Sequence, residues 1–154
     1  MARQLIKSGQ VATNRRARFD YSIDDTIEAG LVLTGAEVKS IRFGLVSLVD
    51  SFVQTRGGGL VVKNMAIQPL PTANKATRFD ERRDKPLLMH KSQIARLRGK
   101  LIEKGATIVP LKLYFNDRGI IKVQLGVGFG KSKIDKRETI KKREWQRDKM
   151  RLRG

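Results

Sequence analysis

Cysteine is absent from the 154 residues of this chain, and histidine occurs once, at His90. The first absence excludes disulfides, thiol chemistry and cysteine-based zinc sites, and it fits a reducing compartment. The second excludes a histidine-rich metal site, because one imidazole cannot assemble a ligand set. It also leaves no Ser-His-Asp grouping to argue for. Long apolar runs are missing: none approaches the ~18 residues that a membrane span needs. The N-terminal stretch lacks the apolar core of a secretory signal. It is Arg-bearing and acid-free, as transit peptides are, but Gly9 interrupts any helix early and no Ser-rich stretch follows.

Acidic residues are absent from residues 1–18, which hold five basic ones: Arg3, Lys7, Arg15, Arg16 and Arg18. The charge of the whole chain is +18, and residues 131–154 contribute +7 of it from eleven basic and four acidic residues. Two-thirds of the net charge therefore lies in 42 terminal residues, while 40% apolar content leaves enough for one modest folded core between them. Basic ends of this kind suit a polyanion, because each phosphate neutralised by Lys or Arg releases a condensed counterion.

Three zones follow. Residues 1–13 read as a flexible basic arm, 14–130 as the folded body and 131–154 as a basic tail. In the body, Tyr21-Ser22-Ile23 through Glu28-Ala29-Gly30 to Val32-Leu33 reads as a strand. Residues 36–43 make a short helix with Val38 and Ile41 on one side and Gly44 at its end. Residues 51–55 and 60–62 form a hairpin through Arg56-Gly57-Gly58-Gly59. Residues 67–87, with Pro69, Pro71 and Pro86 among charged residues, read as a long polar loop. Ser92 is placed to cap a helix that runs to Lys104, with Ile94, Leu97 and Leu101 on one face and Gly105 as its stop. The strongest β signal is last. Leu111, Leu113 and Phe115 alternate with Lys112 and Tyr114, Asn116-Asp117-Arg118-Gly119 turns the chain, and Ile121, Val123, Leu125 and Val127 alternate with Lys122 and Gln124. This hairpin is expected to cover a core on one side only. The sum is a mainly β chain: a small antiparallel barrel with accessory helices.

Gly126-Val127-Gly128-Phe129-Gly130-Lys131-Ser132 ends like a phosphate loop. That loop needs a glycine five positions before its second one, and Leu125 stands there, so nucleotide hydrolysis is not supported. The glycines are read instead as letting the chain leave the barrel and turn into the tail. Asp24, Asp25 and Glu28 could serve acid–base work or hold a cation, but in so basic a chain Asp24 and Asp25 are read as surface residues. In the tail, Lys131, Lys133, Lys136, Arg137, Lys141, Lys142 and Arg143 supply charge. Glu138 and Lys142 have helical spacing, and Trp145 and Leu152 can share a face. That stripe is too thin to hold a helix alone, so the tail is expected to be disordered when free and helical on a polyanion, with the Trp145 ring free to stack on a base.

Asn14-Arg15-Arg16-Ala17-Arg18, Glu28-Ala29-Gly30, Gly35-Ala36-Glu37-Val38-Lys39-Ser40, Leu111-Lys112-Leu113-Tyr114-Phe115 and Asp135-Lys136-Arg137-Glu138 follow one another at characteristic spacing. In this combination the chain resembles the SsrA-binding protein (small protein B) family, from about Asn14 onward. The resemblance implies an RNA-binding β-barrel of the oligonucleotide-binding (OB) type, with flanking α-helices, that is not an enzyme. It implies binding to the tRNA-like part of transfer-messenger RNA and delivery of that RNA to stalled ribosomes in trans-translation. It implies RNA contacts by Asn14, Arg15, Arg16, Arg18, Tyr21, Glu28, Leu88 and Lys122. It also implies a tail (Gly130, Lys131, Lys133, Ile134, Asp135, Lys136, Arg137 and Trp145) that enters the empty messenger channel near the decoding centre. The expectation is a cytoplasmic monomer with no cofactor, metal or membrane partner. A ribosomal or general RNA-binding barrel with a basic extension is the alternative. The chain departs from the family pattern at Ser132, where a lysine is usual, at Ile134, where a ring is usual, and at Pro86, where a basic residue is usual.

Overall fold

A computed structural model of the chain describes residues 5–6, 8–71 and 78–130. In chain order the elements are β1 (Gly9–Thr13), α1 (Ala17–Asp20), β2 (Tyr21–Leu31), α2 (Gly35–Arg42), β3 (Val46–Ser47), β4 (Phe52–Arg56), β5 (Gly59–Lys63), β6 (Ala66–Ile67), β7 (Lys85–Leu88), α3 (Lys91–Ile102), β8 (Ala106–Phe115) and β9 (Ile121–Gly130). Seven strands form one antiparallel sheet in the order β1-β8-β9-β2-β7-β5-β4, and β3 pairs with β6 apart from it. The sheet curls until β4 packs back on β8, so the expected small barrel is what forms.

The arm expected over residues 1–13 is part of the sheet from Gly9 onward, because β1 pairs with β8. Ile6 is also held: its amide donates to the Arg42 carbonyl at 2.7 Å, and Arg42 Nη1 donates to the Ile6 carbonyl at 3.2 Å. β2 stops at Leu31, and Val32 is exposed although its amide still donates to the Pro86 carbonyl. The long loop expected over 67–87 is shorter, because β7 starts at Lys85. Pro86 is tolerated in this strand where β7 changes partner: Lys85 and Pro86 pair with β5, Leu87 and Leu88 with β2. α3 begins at Lys91 with His90, not Ser92, at its N-cap, and it ends at Ile102 before Gly105 takes φ +79°.

The main core collects Ala29, Leu31, Ile41, Leu60, Val62, Met65, Leu97, Ile108, Leu113, Val123 and Leu125 with their neighbours. A second cluster, Ala17, Val109 and Leu111, seats α1 on the opposite side of β8. The hairpin β8–β9 is therefore covered on both faces at the Ala106 end, not on one face throughout. The reason is a bulge. Pro110 pairs with Leu125 and Lys112 with Gln124, leaving Leu111 as the extra residue, and the side-chain phase inverts there. Pro110 lacks an N–H, so it suits a place where the ladder is already interrupted.

Gly126 and Gly128 lie inside β9 and make no turn; the expectation that they release the chain from the barrel is corrected. They are glycine because of what crosses them. A Cβ at Gly128 would run into the Ser22 backbone carbonyl, and one at Gly126 would meet Leu111 Cδ1 at 2.9 Å.

α2 is fastened by charge. Thr34 caps it: Glu37 N donates to Thr34 Oγ1 (3.2 Å), and Thr34 N donates back to Glu37 Oε1 (2.9 Å). The fully buried Glu37 also accepts from Arg83 Nη2 at 2.6 Å and Arg83 Nε at 3.3 Å. Burial pushes the Glu37 carboxyl up, but the Arg83 and Thr34 hydrogen bonds and the Arg83 and Lys85 charges outweigh it and hold the carboxyl below its ordinary value. Lys85 is equally buried, and its Nζ donates to the Met65 and Arg83 carbonyls, each at 2.7 Å. Burial lowers its pKa to about 8, against the opposing attraction of Glu37.

Two expectations follow. Gly128→Ala should destabilise the fold by ~2–3 kcal/mol in urea denaturation, and Gly126→Ala by less, because a leucine tip can turn aside and a backbone carbonyl cannot. Lys85 holds its proton less readily in the folded chain (about 8) than at its ordinary value of 10.5. Between those values the unfolded state binds more protons, so stability rises with pH. Relative to Lys85→Met, the unmodified chain should gain up to about 3 kcal/mol on going from neutral to strongly alkaline pH, read from denaturant midpoints.

Candidate nucleic-acid interface

Strand pairing places polar side chains in two rows across the sheet. One row runs Thr13, Lys112, Gln124, Glu28 over β1, β8, β9 and β2. The next runs Gln10, Tyr114, Lys122, Gly30, Leu88 and reaches β7. Adjacent strands lie about 4.8 Å apart, so these rows form a continuous outer face. Leu88 is 58% exposed on it, and a Cβ at Gly30 would meet Leu88 Cβ at 3.3 Å, so the glycine lets Leu88 lie against β2. A shallow hollow beside them is lined by Glu28, Gly30, Leu88, His90, Gln93 and Lys122, and a second by Gln10, Lys112, Tyr114 and Gln124.

Glu28 and Tyr114 are bonded across this face: the phenol donates to Glu28 Oε2. Burial first, then this hydrogen bond and the Glu28 charge, push the Tyr114 pKa up to about 12. Glu28 is one of the residues that the resemblance implies contact RNA. Its partner is Tyr114, and no Lys or Arg forms an ion pair with it among the described residues. Asp25, by contrast, pairs with Arg96 of α3.

The other expected RNA contacts form a separate group. Asn14, Arg15 and Arg16 lie on the turn from β1 into α1, Arg18 lies in α1, and Tyr21 opens β2. Tyr21 is seven residues from Glu28 along β2, a separation of about 23 Å at strand rise, and the others precede it in the chain. Arg15, Arg16 and Arg18 are exposed, with Arg16 in a long, solvent-facing pair to Asp20 (4.0 Å). Beside them lies a cavity of about 420 Å³ lined by Asn14, Arg16, Asp20, Tyr21, Phe52 and Thr107. Asn14 itself faces inward: its Nδ2 donates to the Leu48 carbonyl (3.3 Å) and the Pro110 carbonyl (3.2 Å), and its amide to the Leu111 carbonyl (2.7 Å). Its amide N–H groups are thus used to hold the bulge of β8 against the turn before β4.

Gln10, Lys112, Tyr114 and Gln124 were not among the expected contacts. The alternation that put Lys122 on the polar side already placed Lys112, Tyr114 and Gln124 there. Gln10 was hidden because residues 1–13 carried no strand signal. Gly130 is the exposed last residue of β9, while Lys131, Lys133, Ile134, Asp135, Lys136, Arg137 and Trp145 lie outside the described residues, as does the expected tail helix. No helix among the described residues is long and apolar enough to cross a membrane.

The SmpB protein family model matches residues 11–153. The SsrA-binding protein of Rhodospirillum rubrum is 49% identical over 148 residues, covering 96% of this chain and 92% of its own. That of Maricaulis maris is 46% identical over 152 residues, covering 99% and 97%. A solved chain described as "tmRNA-SmpB: a journey to the center of the bacterial ribosome" is 46% identical, with a TM-score of 0.67 over 83% of this chain and 92% of that one.

Because Asn14 joins two carbonyls, Asn14→Ala should lower stability by ~1–3 kcal/mol in thermal or urea unfolding. At a temperature where the variant is fully folded, its RNA affinity should fall far less than that of a chain with Arg15, Arg16 and Arg18 all replaced by Gln.

Proposed function

This chain belongs to the SmpB protein family, and on that premise we propose that it binds the tRNA-like domain of transfer-messenger RNA and delivers it to stalled ribosomes for trans-translation. The observation that carries this reading is the match over residues 11–153, which includes both the barrel and the basic tail. The solved relative with the ribosome in its description shares the fold at 46% identity. The outer face suits the task. It offers Lys112 and Lys122 for phosphates, Glu28 for a hydrogen-bond donor and Leu88 for apolar contact with an unstacked base.

The division of labour follows the charge. The barrel, residues 14–130 with β1 added, selects the RNA. Residues 131–154, at +7, enter the vacant messenger channel through Lys131, Lys133, Ile134, Asp135, Lys136, Arg137 and Trp145. The Arg15, Arg16 and Arg18 group, which precedes the start of β2 while Glu28 lies near its other end, serves a second stretch of RNA. The protein acts by binding in the cytoplasm, without cofactor.

The test compares two RNAs at ~0.2 M salt, where counterion release no longer dominates. The tRNA-like domain should bind far more tightly than an unrelated hairpin of equal length. A chain ending at Gly130 should keep most of that preference while peptide tagging on stalled ribosomes is lost. Equal affinity for the two RNAs would instead mark a general RNA-binding barrel.

A further inference from the structure

Glu28 is a carboxylate without a paired cation among the described residues, on a face otherwise suited to RNA. A carboxylate repels phosphate, so it adds nothing to backbone binding. In a chain of +18 with Lys112 and Lys122 on the same face, an ion pair would be the ordinary way to hold it. Its partner is a phenol instead. β8, β9 and β2 are consecutive in the sheet, so the Tyr114–Glu28 hydrogen bond spans the whole of β9, over the strand that carries Lys122 and Gln124.

We propose that Tyr114 is a positioning residue of the RNA face: its hydroxyl fixes the Glu28 carboxylate across β9 so that Oε1 accepts a hydrogen bond from an unpaired N–H or O–H group of the RNA. The inference rests on the function proposed above and names how one part of that site selects its ligand. Three features carry it. A tyrosine has two side-chain torsions and this one is partly buried, so it holds the glutamate at small entropic loss. A neutral donor orients the carboxylate without cancelling its charge, which a lysine or arginine would do. With its pKa pushed to about 12 by burial and by Glu28, Tyr114 stays a donor throughout the neutral range.

Leu88, 58% exposed and seated against Gly30, adds an apolar platform beside the carboxylate. An RNA group that fits both is an unpaired nucleotide, placing its face on Leu88 and a donor on Oε1. We take the donor to be either the exocyclic 2-amino group of an unstacked guanine or a ribose 2′-hydroxyl.

The experiment uses the full chain and three versions of the tRNA-like domain: unmodified, with 2′-deoxy sugars at its unpaired nucleotides, and with inosine for its unpaired guanosines. The unmodified chain should bind one modified RNA more weakly than the unmodified RNA. Tyr114→Phe should weaken binding of the unmodified RNA roughly five-fold and shrink that gap. In a Glu28→Ala background, Tyr114→Phe should change nothing further, and the slope of affinity against salt should stay the same, since no phosphate contact is removed. A merely structural tyrosine would weaken all three RNAs alike, and equal losses with and without Glu28 would overturn the proposal. So would a gap unchanged by Tyr114→Phe for both modified RNAs. Should Tyr114→Phe fail to fold, the Cζ resonance of Tyr114 in the unmodified chain decides: it should move on RNA binding and with Glu28→Ala, and an unmoved signal overturns the inference. If the unmodified chain does not prefer the tRNA-like domain over a control hairpin, the function reading fails and this inference with it. A preserved preference with additive losses removes the inference alone.

Discussion

A narrow sheet that must curl until β4 touches β8 cannot keep one side-chain phase along its length. The chain resolves this with a shift of register in each of three strands, between Gln10 and Ala12, between Ile23 and Asp25, and between Pro110 and Lys112. Each shift turns the following residues over. Val109 and Leu111 therefore face Ala17, while Leu113 and Phe115, farther along the same strand, face the main core. The two glycines of β9 belong to the same constraint. Gly128 lies where β2 crosses too closely for any side chain, and Gly126 lies under the bulged Leu111. One strand set can then bury both ends of itself and still present Lys112, Tyr114, Lys122 and Gln124 together on the outside.

The other device is a trio: the buried Glu37 and Lys85 with the partly exposed Arg83. Two buried charges of opposite sign, with their remaining hydrogen-bond capacity met by Thr34 and by the carbonyls of Met65 and Arg83, avoid the penalty of an unpaired buried ion. The trio joins α2 to the segment just before β7. Leu88, three residues beyond Lys85 in that strand, owes its fixed place on the outer face of the sheet to this anchorage. Val32 contributes as well, since its carbonyl accepts from Arg83 Nη2 at 3.1 Å and its amide donates to Pro86. Specificity of position, more than net stability, is what such a buried ionic group supplies here.

Legibility in the sequence followed the strength of local signals. The β8–β9 hairpin was readable because alternation over many residues and an Asn-Asp-Arg-Gly turn agree. The β4–β5 hairpin was readable from its glycines, and α2 from its apolar spacing and Gly44. What escaped was non-local. β1 is a strand because β8 offers it a free edge, not because Gly9–Thr13 prefers one. Thr34 and His90 cap their helices through side chains three residues on, a pattern visible as Thr-Gly-Ala-Glu for the first but not for His90. Pro86 reads as a strand breaker until the change of partners along β7 is known. Of the site, Glu28, Leu88 and Lys122 came by resemblance, and alternation independently put Lys122 on the polar side of its strand. That Asn14 turns inward, and that the site divides into two groups, depends on the bulge of β8 and on how β1 enters α1. Neither has a mark in spacing or composition.

Affinity and selection are separable in this molecule. Two-thirds of its net charge lies in the 42 terminal residues, and an excess of cations attracts any polyanion in a way that salt weakens. Charge of that kind cannot distinguish one RNA from another. Discrimination needs groups whose satisfaction depends on the partner's chemistry, and a carboxylate held among cations is such a group. Without a donor to meet it, Glu28 is desolvated by an approaching phosphate backbone and repelled by it, so the wrong ligand is penalised and the right one only restored to balance. A mobile carboxylate would swing away and remove that penalty. Fixing it by a phenol keeps the penalty in force, so an uncharged hydrogen bond to Tyr114 suits this face better than a stronger salt bridge to Lys122 would.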